Sequence, residues 1–219
     1  MVSVATLYNW VDAGLLRIKN KDLLLKVKRK KRKRNQHEKK RILGKSIEDR
    51  PKEVDKREEF GHWEGDGIVS KDHKGGHLIS LVERKTGMGL LYYVDTSEGT
   101  HMVKILDMQQ KEYKNDFSKI FNTITFDNGP EGADYVRMEK GNRTSIYYAH
   151  PYSSFERGTN EQWNSMVRRF IPKGSSFDTL KKGDIQRITN YINSLPRKRF
   201  NYKTPLDMWE AEIARISTA

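Results

Sequence analysis

Three acidic residues stand in contexts that suit phosphoryl-transfer chemistry: Asp66 in GHWEGD, Asp127 in TFDNG and Glu161 in RGTNEQW. Sixty residues separate the first two and thirty-three the last two. Each lies at a predicted strand end or helix start. Carboxylates are hard oxygen donors, so the triplet suits Mg²⁺ or Mn²⁺, ions held by a few acids together with substrate phosphates. Two such ions about 3.5–4 Å apart would let one activate an attacking oxygen and the other stabilise the leaving oxygen of an in-line displacement. Singly, each acid has an ordinary alternative: Asp66 before Gly67 and Asp127 before Asn128 and Gly129 suit turns, and Glu161 suits a helix start. The weight therefore rests on the triplet. Glu64, His62 and Glu131 lie nearby in sequence and are read as supporting or structural groups rather than ligands.

For these acids to meet, strands must carry the first two and a helix the third. The runs HWEGDGIV, HLISLVE and GLLYYV are short and β-rich, and the last two are joined by a turn from Arg84 to Gly87, which predicts three antiparallel strands. FNTITF reads as a buried strand ending at Asp127, and SIYYA as a fifth strand. Alternation puts His62, Glu64 and Asp66 on one face, and likewise Thr123, Thr125 and Asp127 on the later strand. Between them a helix is predicted near 99–113, and another near 131–139. A further helix begins near Thr159, where Thr159 and Gln162 have capping-box spacing, with Trp163, Met166, Val167, Phe170 and Ile171 as its core face. Glu161, Asn164, Ser165 and Arg168 then share a different, exposed stripe. Helices near 184–195 and from Thr204 and Pro205 through Trp209 complete a mixed α/β sheet of about five strands flanked by helices.

The net charge of +13 is concentrated in one segment. Residues 17–58 hold 19 Lys and Arg against 7 Asp and Glu, while residues 59–219 are nearly balanced, with 23 against 21. At its centre Lys28, Arg29, Lys30, Lys31, Arg32, Lys33 and Arg34 form an unbroken cationic run. Such a run points to a phosphate backbone and gives salt-dependent affinity without sequence readout; the alternative is a solvated linker. The chain has no cysteine and its six histidines lack a two-His helical spacing, which excludes thiolate zinc sites and disulfides. No apolar run is long enough for a membrane span and no signal peptide is visible, so a cytoplasmic protein is expected.

Residues 1–16 predict a short helix with Ser3 as N-cap and Gly14 as stop, which either resembles the second helix of a helix-turn-helix whose first part is missing or docks on the main domain. The expected division is therefore 1–16 as a partial helix-turn-helix-like segment, 17–58 as a basic linker with a possible short helix near 23–27, and 59–219 as the catalytic domain.

The strings GHWEGD, LVERKTG, TFDNGPE, YYAHPYSS to FERGTNEQWN, RRFIPKG and LPRKRFNYKTPLDMW resemble, in that order, the catalytic domain of IS30-type insertion-sequence transposases, over roughly residues 57–210. The resemblance implies an RNase H-like, integrase-like fold with a basic N-terminal extension. It also implies an Asp-Asp-Glu site of Asp66, Asp127 and Glu161 that cleaves and joins double-stranded DNA at element ends, working as a homo-oligomer. Arg157, Gly158 and Asn160 match the motif around the third acid, and Lys173 lies in the Pro-Lys-Gly string; Arg157, Asn160, Arg168 and Lys173 are expected to steady DNA phosphates. One departure is Phe155 and Glu156 where the family has Trp and Gln, adding a negative charge beside the expected DNA path. Relatives are longer at the N-terminus, so the chain reads as truncated there. Two other readings stay open: a catalytically silent DNA-binding remnant, and a structure-selective RNase H-like nuclease.

Overall fold

Alternating apolar residues and tight turns assemble the central sheet, seen in a computed structural model that describes residues 2–23, 43–71, 76–96, 98–151 and 153–218. Strand β2 (His62–Ile68) pairs antiparallel with β3 (His77–Glu83), and β3 with β4 (Gly89–Val94). Gly87 takes a positive φ of 71° in the turn between β3 and β4, a conformation glycine adopts without steric cost. On its other side β2 pairs parallel with β5 (Thr123–Phe126), which pairs parallel with β6 (Ser145–Tyr148).

A sixth strand, β1 (Lys45–Ser46), closes the sheet beside β6, giving the order β1-β6-β5-β2-β3-β4. This short edge strand adds to the about five expected, and the larger of two compact units runs from 39 to 219. A two-residue strand is too short to show periodicity. It is fixed instead by a local box, in which Ser46 N–H donates to Asp49 Oδ2 at 3.1 Å and Ser46 Oγ accepts from Glu48 N–H at 3.3 Å. Behind it, in and beside helix α2 (Glu53–Lys56), Val54 and the Arg50 side chain are buried within a segment whose composition reads as solvated.

The sheet is covered on both faces. One face packs Trp63, Ile79, Leu81, Ile124 and Phe126 under α3 (Gly99–Tyr113), α4 (Phe117–Ile120) and α8 (Pro205–Ser217). There the Trp63 ring stacks on Phe121 at 4.6 Å, and its indole N–H donates to the Ile120 carbonyl at 2.7 Å. A Cβ on Gly65 would sit 2.3 Å from the Phe126 ring, so only glycine fits at that point of β2. The opposite face packs Leu78, Val82 and Leu91 under α6 (Gly158–Phe170) and α7 (Lys182–Asn193).

Trp163 lies so close to β4 that a Cβ on Gly89 would fall 2.1 Å from its indole. We expect Gly89→Ala to destabilise the protein by about 1–3 kcal/mol through overpacking. The measurement is a lower urea midpoint at constant m; an unchanged midpoint would show that the helix has room to retreat.

Several helices differ in detail from expectation. The stretch near 131–139 is a 3-10 turn, Pro130–Gly132, followed by the single-turn helix α5 (Tyr135–Met138). Helix α6 begins at Gly158, which places Thr159 inside the first turn; the expected Thr159–Gln162 box does not form, and the Thr159 hydroxyl has no hydrogen-bond partner. Trp163, Val167 and Ile171 are buried and Met166 packs partly, but Phe170 is 47% exposed and pairs edge-on with Tyr191 at 5.3 Å. Helix α7 covers 182–193, with Asp184 accepting from the Lys181 N–H at 3.0 Å, and α8 carries the Thr204–Asp207 capping box behind Pro205.

The smaller unit, residues 1–38, contains helix α1 (Val4–Asp12), whose N-cap Ser3 accepts from Thr6 N–H at 3.1 Å and which ends before Gly14 at φ 71°. The possible helix near 23–27 and the cationic run lie outside the described residues, apart from Leu23, which follows a 3-10 turn. Among the described residues no helix is long and apolar enough to cross a membrane.

Candidate active site

Strand pairing brings the first two acids together. In the parallel register of β2 and β5, His62 faces Thr123 and Glu64 faces Thr125, so two residues further on Asp66 lies beside Asp127. Past the end of β5, the Gly129 N–H donates to Asp127 Oδ1 at 2.8 Å, and the following 3-10 turn folds Glu131 back over the strand. Asp66, Asp127 and Glu131 then offer oxygens that all lie within 4.8 Å of one another. Two glycines make this approach possible. A Cβ on Gly129 would meet Glu131 Oε1 at 2.4 Å and Asp127 Oδ1 at 2.7 Å, and one on Gly67 would meet Glu131 Oε2 at 3.1 Å. The acids open onto a cleft of about 380 Å³ that Val69, Leu78 and Pro130 help to line.

Carboxylates this close repel, and the structure answers with Arg157. Its Nη1 lies 3.1 Å from Asp66 Oδ1, its Nη2 donates to Asp127 Oδ2 at 3.1 Å, and Nη1 also donates to the Gly65 carbonyl at 2.9 Å. Asn164 donates to Asp66 Oδ2 at 2.8 Å. Burial raises the pKa of Asp66 and the charge of Asp127 adds to the rise, while Arg157 and Asn164 oppose it. Burial also disfavours the charged form of Arg157, but Asp66, Asp127 and Glu131 together hold it above the ordinary arginine value.

Glu131 is pushed up to about 7, first by burial and then by the charges of Asp127 and Asp66. Its folded pKa exceeds the ordinary value of 4.5, so between about pH 4.5 and 7 the metal-free folded state holds a proton that the unfolded state has lost. Stability should therefore fall as pH rises through that window, by a few kcal/mol. Glu131→Gln should flatten this part of the urea-stability profile. Equal slopes for the two proteins would remove Glu131 as the source.

Helix α6 is tied to the sheet by Asn160 and Glu64. The Asn160 N–H donates to Glu64 Oε2 at 2.8 Å and its Nδ2 donates to the Glu64 carbonyl at 2.9 Å. Asn160 is fully buried, which corrects the expectation that it contacts phosphate: a short amide beside Glu64 and Ser80 satisfies itself inside the protein. Glu64 is held in turn by Arg84 Nη1 at 2.5 Å. Asp55 lies 3.7 Å from Arg84 Nη2 and 2.5 Å from Arg50 Nη2, and Arg50 donates onward to Thr125 Oγ1 at 2.8 Å. The segment read as linker thus buttresses both acid-bearing strands.

Glu161 is exposed in the first turns of α6 and stands outside the three-acid group. Helical spacing nevertheless sets it on the stripe between Arg157 and Asn164, both of which touch Asp66. Arg168, further along, donates to the Val69 carbonyl at 3.1 Å, and Lys173 is exposed just after the helix. Lys28 through Arg34 lie outside the described residues. Glu156 accepts from the His150 N–H and ring Nδ1, both at 2.8 Å, and raises the pKa of that histidine.

Reading the residues along the chain left Glu131 outside the ligand set and missed Asn164 as an Asp66 partner. The available signal was the DNGPE string, whose Gly-Pro turn returns a fourth residue to the aspartate. All donors are hard oxygens, the buried acid is driven toward neutrality, and a guanidinium already bridges two carboxylates. Such a set fits a divalent cation.

No family model matches the chain. It is 36% identical over 209 residues to the "Probable transposase for insertion-like sequence element IS1161" of Streptococcus salivarius, covering 95% of this chain and 58% of that protein. The transposase for insertion sequence element IS4351 of Bacteroides fragilis is 34% identical over 173 residues, covering 79% and 52% respectively. Transposase InsI for insertion sequence element IS30A of Escherichia coli K12 is 28% identical over 173 residues, covering 79% and 44%. The chain thus spans about half the length of the curated relatives it matches. Among solved structures, a chain of the simian T-cell lymphotropic virus intasome in complex with PP2A regulatory subunit B56 gamma aligns with a TM-score of 0.55 at 16% identity, over 80% of this chain and 60% of that one. The catalytic core domain of BIV integrase aligns with a TM-score of 0.51 at 13% identity, over 71% and 97%. These two likenesses establish the RNase H-like fold. With that fold, the chain is similar over most of its length to IS30-type insertion-sequence transposases.

Proposed function

We propose that this chain is the catalytic part of a DNA transposase that cleaves and joins strands at insertion-element ends by metal-dependent phosphoryl transfer. The observation that carries the reading is the meeting of Asp66 and Asp127 across neighbouring parallel strands, beneath the α6 stripe that bears Glu161. A divalent cation, Mg²⁺ or Mn²⁺ and in the working complex two of them, supplies Lewis-acid activation of the attacking oxygen and neutralises charge on the leaving oxygen.

Asp66, Asp127 and Glu161 are the proposed metal ligands, with Glu131 as a buried fourth acid that deepens the negative potential of the cleft. Asn164 orients Asp66. Arg157 holds the two aspartates in place and can turn to a phosphate as positive charge enters the site. Arg168 and Lys173 extend the positive stripe along α6 and steady the DNA backbone. Lys28 to Arg34 supply salt-dependent affinity. The helix in residues 1–16 is proposed as part of an end-recognition helix-turn-helix, residues 17–38 as its basic connector, and the working form as a homo-oligomer on double-stranded DNA in the cytoplasm.

The test is nicking of supercoiled plasmid by the purified chain with Mg²⁺ or Mn²⁺, beside a chelator control. Metal-dependent open circles support the reading. Tight DNA binding with no nicking would instead favour the silent remnant, and strong preference for RNA hybrids or branched DNA would favour the nuclease.

A further inference from the structure

On the far side of α6 from the acids, a second cleft of about 200 Å³ lies among Val82, Gly87, Thr159, Trp163, Met166 and the consecutive cations Arg197, Lys198 and Arg199. Two of the lining residues, both more than nine-tenths buried, carry a polar atom without a partner: the Thr159 hydroxyl, at 6% residue exposure, and the Trp163 indole N–H, at 2%. A buried donor without an acceptor is costly and asks for a ligand or water.

The cations are similarly unmatched. Arg197 spends its guanidinium on the Met166 sulfur at 3.1 Å and the Ile192 carbonyl at 3.1 Å, and Arg199 lies over the Phe200 ring at 4.4 Å with its Nη2 against Gly87. Among the described residues no carboxylate forms an ion pair with Arg197, Lys198 or Arg199. Burial lowers the pKa of Arg197 and Arg199, and the charges of Arg57 and Arg197 lower Arg199 further against a smaller opposing pull from Glu83 and Glu64. The loop that carries them is closed by two backbone bonds, Arg197 N–H to the Lys203 carbonyl and Tyr202 N–H to the Arg197 carbonyl, both at 3.0 Å. Its cations are therefore presented on a fixed frame rather than on a loose tail.

We propose that this cleft is a phosphate-binding site, with Lys198 and Arg199 as the charged rim and the Thr159 hydroxyl as a buried donor. The assignment stands on the cleft itself. Only the source of the phosphate rests on the proposed function, under which it is a backbone phosphate of bound DNA. Thr159 lies on the same helical turn as Glu161, two residues away, so a phosphate seated here would grip the helix that carries the third acid from its opposite side.

The experiment uses the full chain and inorganic phosphate, against chloride at equal ionic strength, read as a shift in melting temperature and by calorimetric titration. Phosphate should raise the melting temperature of the parent. Lys198→Gln/Arg199→Gln should weaken phosphate binding about ten-fold or more while leaving the phosphate-free melting temperature nearly unchanged, since neither side chain makes a buried hydrogen bond. Thr159→Val should weaken binding without changing charge, which separates a built site from general attraction. In a second arm, the salt dependence of duplex binding should lose about one unit of slope in the double variant if DNA supplies the phosphate. Phosphate binding with an unchanged slope supports the site and assigns it to a free phosphorylated ligand. No phosphate-specific shift in the parent, or equal shifts in parent and variants, overturns the proposal whatever the nicking assay reports.

Discussion

Asp127→Asn is expected to reduce metal-dependent plasmid nicking by at least about 10³-fold, since several kcal/mol of transition-state stabilisation depend on the charge this carboxylate gives the site. DNA affinity should be retained or rise slightly, because the change removes a negative charge from the cleft. Binding and nicking lost together would point instead to a collapsed fold. The remaining acids sort the ligand set. Glu161→Gln should lose nicking to a similar extent without altering metal-free stability, as Glu161 is exposed and outside the three-acid group. If Glu131→Gln abolished nicking and Glu161→Gln left it intact, the third ligand would be the buried glutamate of the DNGPE turn.

Arg84→Met should destabilise the protein by about 3–5 kcal/mol, the largest effect we expect from a residue that touches no substrate. Arg84 is the cation 2.5 Å from Glu64, and their side chains are 5% and 0% exposed. Its removal leaves Glu64 buried without a counter-charge. For a folded unit of this size the melting temperature should drop by about 10 °C or more. Glu64→Gln in the Arg84→Met background should recover a good part of that loss, because the orphaned charge is then gone; equal instability of single and double variants would argue that Arg84 acts through packing alone. Nicking should also suffer at temperatures where the variant is folded. Glu64 accepts the Asn160 N–H, and that bond fixes the start of the helix bearing Glu161.

Arg157 gives the site a testable resting state. The bridge from Asp66 to Asp127 means that a cation entering the cleft competes with a guanidinium already there. The arrangement also accounts for an otherwise awkward feature, three acids gathered beside a buried strand end, since Arg157 offsets their repulsion.

Much of the molecule follows from local chemistry in the chain. The period-two pattern puts His62, Glu64 and Asp66 on one face of a strand, and the structure shows Glu64 and Asp66 together under α6. The same holds for the i, i+4, i+8 series Trp163, Val167 and Ile171, and for the Thr204 cap in front of Pro205. Each of these is a property of a few neighbouring residues, and backbone geometry converts it directly into a face or an end. Phe170 shows the margin of such reasoning: its spacing fits the core stripe, but the stripe's edge meets Tyr191 and solvent rather than the sheet.

The donor types, the strands that carry Asp66 and Asp127, the helix that carries Glu161 and the resemblance that singles out these three acids are all legible along the chain. Which carboxylates meet follows from packing. Glu131 joins the aspartates because β5 runs beside β2 and a Gly-Pro turn reverses the chain, while Arg157 reaches both acids from a helix thirty residues further on. Asn160 moves from expected phosphate contact to buried tether for the same reason, and a two-residue strand from the charged segment completes the sheet. Contacts between residues far apart in the chain depend on strand order, register and the space left by particular glycines, and none of these leaves a periodic signal along the chain.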